Sequence, residues 1–172
     1  MFIETNAAVE AIDAVRLIRL APGDSAKLPS RGLVMAAGTL NGIAFTLPLE
    51  PDGKGGHWLE VPQDLMQRAS VSVGDSAALA LSPTEDWPEP DMPRDIMDAI
   101  AAHGLLAPWQ SLTVKARWSW LRWIRATLNP ETRAKRIRVA VDKLSRGDRR
   151  PCCFNAAGCT VPEVSKGGIL RG

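Results

Sequence analysis

Three thiols fall within eight residues near the end of the chain, Cys152, Cys153 and Cys159. Thiolates are common structural zinc ligands, and a fourth donor from His57 or His103 would complete a tetrahedral site. The spacing departs from the usual C-x-x-C pairs, and adjacent cysteines chelate one ion with difficulty. Zinc or thiol chemistry is thus one expectation, and inert packing thiols are the other. A disulfide framework is disfavoured, because the thiols are odd in number and the opening MFIETNAAVEAIDAV has acids where an export signal has a basic region and an apolar block. The expected location is cytoplasmic, with no membrane partner.

A second group of polar residues lies in Asp52-Gly-Lys54-Gly-Gly-His57-Trp58. Backbone N–H groups, a lysine and a titratable imidazole together could cradle an anion. The segment lacks the GK[ST] ending of a phosphate loop and leads into no helix, so a hairpin tip is the competing reading. A third candidate is Arg117, which helical spacing puts in the apolar face between Val114 and Leu121. A charge there must be paired, with Asp86 or Glu89 as the expected acids, or must hold an anionic ligand. His103, beside a glycine that ends its helix, is read as a satisfied core or cap residue.

The region around residues 111–150 invites a nucleic-acid reading as well. It holds twelve Lys and Arg against three acids, a net of +9, and three of the six tryptophans lie within six residues. Clustered cations attract phosphate and exposed indoles stack on bases, which makes Arg133, Lys135, Arg136 and Trp118 the candidate contacts. Trp120 and Trp123 fall with Leu121 and Ile124 on the apolar arc and read as core, whereas Lys115, Ser119 and Arg122 fall opposite. Residues 1–110 carry seven cations against fifteen acids, a net of −8. The two halves are therefore expected to face each other. A small anionic or peptide-like ligand would fit the seam between them, near Arg117, Arg122, Lys54 and His57. No G-x-S-x-G or HExxH is present, so hydrolytic chemistry has no positive support and a non-catalytic role is favoured.

The elements that must position these groups are legible in outline. Residues 11–20 read as a strand and 21–32 as a loop. LVMAAGTL, Asn41-Gly42 and IAFTLPL read as a hairpin with a type I′ turn. HWLEV reads as a strand, and Pro62 as the first residue of a short helix over QDLMQRA. Gly74-Asp75 turns the chain into the strand SAALALS. Five or six strands with one inserted helix predict a small closed or partly open β-barrel over residues 1–84. Residues 85–93, with prolines at 88, 90 and 93, form a linker. Three helices follow over 94–150: one capped by Asp91 and ended by Gly104, one from Thr113 through Leu128, and one capped by Asn129 and ended by Gly147. Residues 151–172 form an extended, cysteine-containing tail. The fold class is α+β.

Two stretches carry a family resemblance. Trp118-Ser-Trp-Leu-Arg-Trp-Ile124, followed by Pro130-Glu-Thr-Arg-Ala-Lys-Arg-Ile137, resembles the helical segment of the bacterial YdeI/OmpD-associated family, also labelled bacteriocin-protection proteins. Gly38-Thr-Leu-Asn-Gly42, Pro51-Asp-Gly53, His57-Trp-Leu-Glu-Val61 and Gly74-Asp75 resemble the small barrel of unknown function that often precedes it. The resemblance implies a barrel plus helices in a bacterial cytoplasm and carries over no catalytic residues. A shorter stretch, His57 to Asp75, is similar to the strand, proline-led helix and Gly-Asp order of AbrB-type transcription factors, which reads as a shared building block.

Overall fold

The computed structural model describes residues 2–152 and 154–172. The chain divides into two compact units, one of residues up to Asp86 with 156–159 and 163–172, the other of Trp87–Asn155 with 160–162.

The first unit is a curled antiparallel sheet. Its strands are β1 (Ile3–Ala8), β2 (Glu10–Ile12), β3 (Val15–Arg19), β4 (Val34–Leu40), β5 (Ile43–Pro51), β6 (His57–Glu60) and β7 (Ser76–Pro83), in the spatial order β1-β7-β4-β5-β6-β3-β2. The two edges, β1 and β2, are successive parts of one bent segment. It turns at Val9, whose N–H donates to the Asp75 carbonyl at 2.9 Å and whose carbonyl accepts from Gly74 N–H at 2.8 Å. Putting both edges on one bent segment shortens the unpaired backbone a flat sheet would expose. The inward positions form a core that includes Ile3, Ile18, Leu49, Leu59, Leu79 and Leu81, each 1% exposed or less.

Local chemistry explains the best-defined turn. Asn41 and Gly42 have φ of 47° and 82°, the positive pair a type I′ hairpin requires. The Asn41 amide also reaches across the sheet: its Oδ1 accepts from Ala78 N–H at 2.9 Å, and its Nδ2 donates to the Ala69 carbonyl at 3.2 Å. The expected single strand over 11–20 is instead the β2–β3 hairpin, broken at Asp13 with φ 50°. Its apolar alternation continues through the turn and hides it. The expected loop 21–32 contains one helical turn, α1 (Pro22–Ser25), and α2 (Gln63–Arg68) starts one residue later than expected, with Pro62 as its N-cap.

Among the described residues the second unit holds four helices where three were expected: α3 (Arg94–Ala102), α4 (Leu106–Ser111), α5 (Val114–Arg125) and α6 (Pro130–Ser145). The missed helix, α4, contains Pro108, which is tolerated because it lies in the first turn, where no intrahelical N–H bond is lost. The N-cap of α3 is Pro93, not Asp91. Proline holds its predecessor extended, so the helix cannot begin earlier. The other caps stand: Thr113 Oγ1 accepts from Ala116 N–H at 3.1 Å, Asn129 Oδ1 from Glu131 N–H at 2.9 Å, and Gly104 and Gly147 take φ of 67° and 89°. α5 ends at Arg125, and Leu128, expected on its buried face, is 66% exposed. Trp120, Ile96, Ile100, Ile124 and Leu144 form the core of this unit. Among the described residues no helix is long and apolar enough to cross a membrane.

Within the tail, β8 (Ser165–Lys166) and β9 (Ile169–Leu170) form a small hairpin that belongs to the sheet unit. Leu170 N–H donates to the Asp52 carbonyl at 2.8 Å, and Arg171 reaches Asp13 Oδ2 at 2.7 Å. Gly53 is needed at this junction: its φ is 86°, and a Cβ there would lie 2.1 Å from the Gly168 carbonyl oxygen.

Candidate functional site

Arg117 projects from the first turns of α5, and its side chain is only 13% exposed. Two chain features hold its guanidinium. On one side it donates to the carbonyl of Leu112, with longer contacts to those of Gln110 at 3.4 Å and Trp109 at 3.5 Å. These carbonyls close the end of α4, where that of Trp109 also accepts from Leu112 N–H at 3.1 Å, and a cation there meets the negative end of the helix. On the other side Nε donates to Glu89 Oε2 at 3.0 Å while a terminal nitrogen donates to Glu89 Oε1. This is the two-point fork by which arginine recognises a carboxylate. Glu89 is one of the two acids expected to pair here.

Glu89 lies on the proline-spaced strap Trp87–Pro93, which carries no helix or strand. Two more contacts fasten it: Trp118 Nε1–H donates to the Pro88 carbonyl at 2.8 Å, and the Trp87 and Trp118 rings meet edge to face at 6.2 Å. Lys115 Nζ stands 5.2 Å from the Trp87 ring centre. Beside the strap a cleft of about 400 Å³ is lined by Pro90, Met92, Met97, Trp109, Gln110 and the Arg117–Glu89 pair. Its lining brings an indole and two thioethers together with the polar Gln110, Glu89 and Arg117, and among the described residues it carries no hydroxyl, thiol or imidazole.

The other candidates lie elsewhere. Arg122, expected on the solvent side of α5, is buried at 3% exposure with its guanidinium 5.6 Å from the Phe154 ring. The helical wheel assumed a single covered face, and the segment after α6 covers a second. His57 is also buried, at 2%, in the sheet unit. Its Nε2 faces the Gly32 carbonyl at 2.9 Å, an oxygen that can only accept, so Nε2 carries the proton and Nδ1 accepts from the Ser25 hydroxyl at 2.6 Å. Burial lowers its pKa below the ordinary 6.5, so the imidazole is neutral near pH 7. Ser25 and His57 resemble a nucleophile and its base, yet Ser25 is 1% exposed and the pair acts as a clamp on the 21–33 loop. In the 52–58 loop, Asp52 Oδ1 accepts the N–H groups of Lys54 at 2.7 Å and Gly56 at 2.9 Å, which occupies two amides of the expected cradle and leaves Lys54 exposed at the tip. His103 is exposed and bonds its own helix at Ala99.

Three of the four nucleic-acid candidates are engaged within the helical unit. Arg133 binds Asp95 through two bonds of 2.8 and 3.0 Å, which hold the Asp95 carboxyl below its usual range. Arg136 donates to the Trp123 carbonyl at 2.9 Å and lies 5.7 Å from that residue's ring, and Trp118 is bonded to the strap. Lys135 is exposed on an arc of α6 where Glu131 and Asp142 alternate with Arg138 and Arg146. Of the thiols, Cys152 is exposed, Cys159 is buried and Cys153 lies outside the described residues. Among the described residues no three His, Cys, Asp or Glu side chains gather as a metal site.

Ser25 and Phe154 had no signal in the sequence, since each meets its partner only through long-range packing. The Trp87–Trp118 pair had a weak one, because a tryptophan inside an acidic proline-rich segment needs something to hold it.

A curled antiparallel sheet in one unit, and four helices with an arginine–glutamate pair lining a cleft in the other, define a two-unit α+β protein. Residues 7–81 match a domain of unknown function, DUF1905, spanning most of the sheet, and residues 89–147 match the bacteriocin-protection, YdeI or OmpD-associated family, spanning the strap and α3 to α6. The two matches are consecutive and separate, the DUF1905 domain first and a bacteriocin-protection, YdeI or OmpD-associated segment after it, which supports the family resemblance of each part. A comparison with curated proteins found no match.

Proposed function

We propose that the protein binds, without chemical conversion, a ligand bearing a carboxylate, and that the helical unit holds it at Arg117. The supporting observation is that this arginine is fixed by α4 carbonyls with its fork turned toward a cleft, and already grips a carboxylate there, that of Glu89. The cleft volume suits a small acid or one or two peptide residues, and the Met92, Met97 and Trp109 walls suit an apolar body attached to it. A lining whose described residues bring no hydroxyl, thiol or imidazole, and whose carboxylate is engaged by Arg117, favours binding over catalysis.

The test follows the Arg117 Nε–H signal in labelled protein while small carboxylates and N-acetyl-glutamate amide are added to about 10 mM, high enough to detect millimolar affinity. At least one should shift that signal and the Trp109 backbone amide in a saturable way, and Arg117→Gln should weaken the response about tenfold or more, the worth of a charge-assisted pair. If no carboxylate moves either signal, Arg117 is only a helix cap and the proposal fails.

A further inference from the structure

We infer that the front of α5 recognises acidic, proline-bearing peptides, and that residues 87–93 are a copy of such a peptide held in place within the chain. This rests on the carboxylate reading of Arg117 and extends it to a class of partner. The sequence Trp87-Pro-Glu-Pro-Asp-Met-Pro93 spaces three prolines along a segment with no helix or strand, and Pro93 has the polyproline values φ −58° and ψ 141°. Proline-rich peptides are commonly captured in this conformation by aromatic grooves, because little chain entropy is lost on binding. The contacts here have that form. An indole N–H, Trp118 Nε1, takes the Pro88 carbonyl; an aromatic edge meets Trp87; and a fixed arginine takes the acidic side chain between two prolines.

Two facts set this apart from simple packing of a linker. Glu89, the residue gripped by two bonds, is 67% exposed, so its grip does not come from burial of an apolar anchor. The strap also leaves a cleft of about 400 Å³ beside Pro90 and Met92. The partner is therefore an extended peptide with Glu or Asp beside proline, the acid on Arg117, the preceding carbonyl on Trp118 and the following residues over the cleft. A tethered copy competes at an effective concentration of millimolar order, so it keeps the surface closed to weak ligands and open to a tighter match.

The experiment uses the full chain and a fluorescein-labelled peptide EDWPEPDMP, copying residues 85–93, with N-acetyl-glutamate amide as the small-acid comparison. Glu89→Gln weakens the tethered copy and leaves the receptor side chains intact. It should raise apparent affinity for the peptide about tenfold, the expected gain when a competitor that occupied nine-tenths of the sites is loosened. In that background Trp118→Phe, which removes the N–H and keeps a ring, should reduce peptide binding several-fold and leave N-acetyl-glutamate amide unchanged. A peptide with Gln in place of the acid between the prolines should show no gain. Equal peptide affinity in wild type and Glu89→Gln, or no effect of Trp118→Phe, overturns the inference while small-acid binding stands. Absence of binding by both probes in every variant overturns this inference and the carboxylate reading together.

Discussion

Gly38 offers a sharp test of how the sheet is packed. It sits in β4 between β5 and β7, paired with Leu81, and a Cβ at this position would lie 2.0 Å from the Ala80 carbonyl oxygen and 2.7 Å from Leu81 Cα. Ordinary contact begins near 3.4 Å, and the obstructing atoms are backbone, so no side-chain rotation relieves the clash. Gly38→Ala must push β7 from β4 by about 1 Å or more. Overpacking of this kind costs about 1–3 kcal/mol, and each ladder bond that lengthens adds up to about 1 kcal/mol. A loss of about 3 kcal/mol in the sheet unit follows, which lowers its Tm by about 15 °C at the slope usual for a domain near 100 residues. The assay is calorimetry, with hydrogen exchange of residues 36–40 and 79–83 to assign the loss to this ladder. Gly23→Ala is the paired control. It lies on α1 with nothing within 4 Å of an added Cβ, and should be neutral or stabilising by up to about 1 kcal/mol. A Gly38→Ala chain within about 1 kcal/mol of wild type, or one no worse than Gly23→Ala, would refute the close approach of β4 and β7.

Two further expectations rest on single groups. His57 titrates below 6.5 when folded and near 6.5 when unfolded, so in that window the unfolded chain binds more protons and stability falls as the pH drops below 6.5. Urea midpoints should be level above about pH 7.5 and decline toward pH 5, and His57→Gln should remove that decline; an unchanged slope would place the proton elsewhere. Asn129→Ala removes the side chain that caps α6 at Glu131 and Thr132, and should cost about 1 kcal/mol by chemical denaturation, with Asn129→Gly costing less.

What the sequence made legible divides along a physical line. The Asn41-Gly42 turn, the Thr113 and Asn129 caps and the Gly104 and Gly147 helix ends depend on a few neighbouring residues, and each was readable from those residues. Arg117 was also legible, because a charge in an apolar stripe requires a partner, and Glu89 was one of the two linker acids expected to supply it. The failures are contacts between distant residues. Arg122 was assigned to solvent because Phe154, which covers it, belongs to a segment with no periodicity. Ser25 and His57 are separated by 32 positions and meet only when the 21–33 loop folds over β6. β1 and the β2–β3 hairpin escaped because residues 3–8 mix polar and apolar types and Asp13 reverses the chain without glycine or proline to mark it. The Trp118 bond to Pro88 escaped because an indole on the polar side of a helix reads as exposed until the strap is seen.

The bond between Leu170 and Asp52, with Arg171 on Asp13, has a consequence for the order of events during synthesis. A ribosome delivers residues 1–86 first and then the whole helical unit, while the β8–β9 hairpin that bonds to the 52–53 turn is still inside the tunnel or untranslated. The sheet unit therefore waits incomplete through the making of about 70 residues, 87–155, which form the other unit. Contacts that join positions so far apart close late and slow the final step. A released chain that stops at residue 162 should hold a protected helical unit and a sheet unit still open to proteolysis at the Gly53 turn, and restoring residues 163–172 should protect that turn.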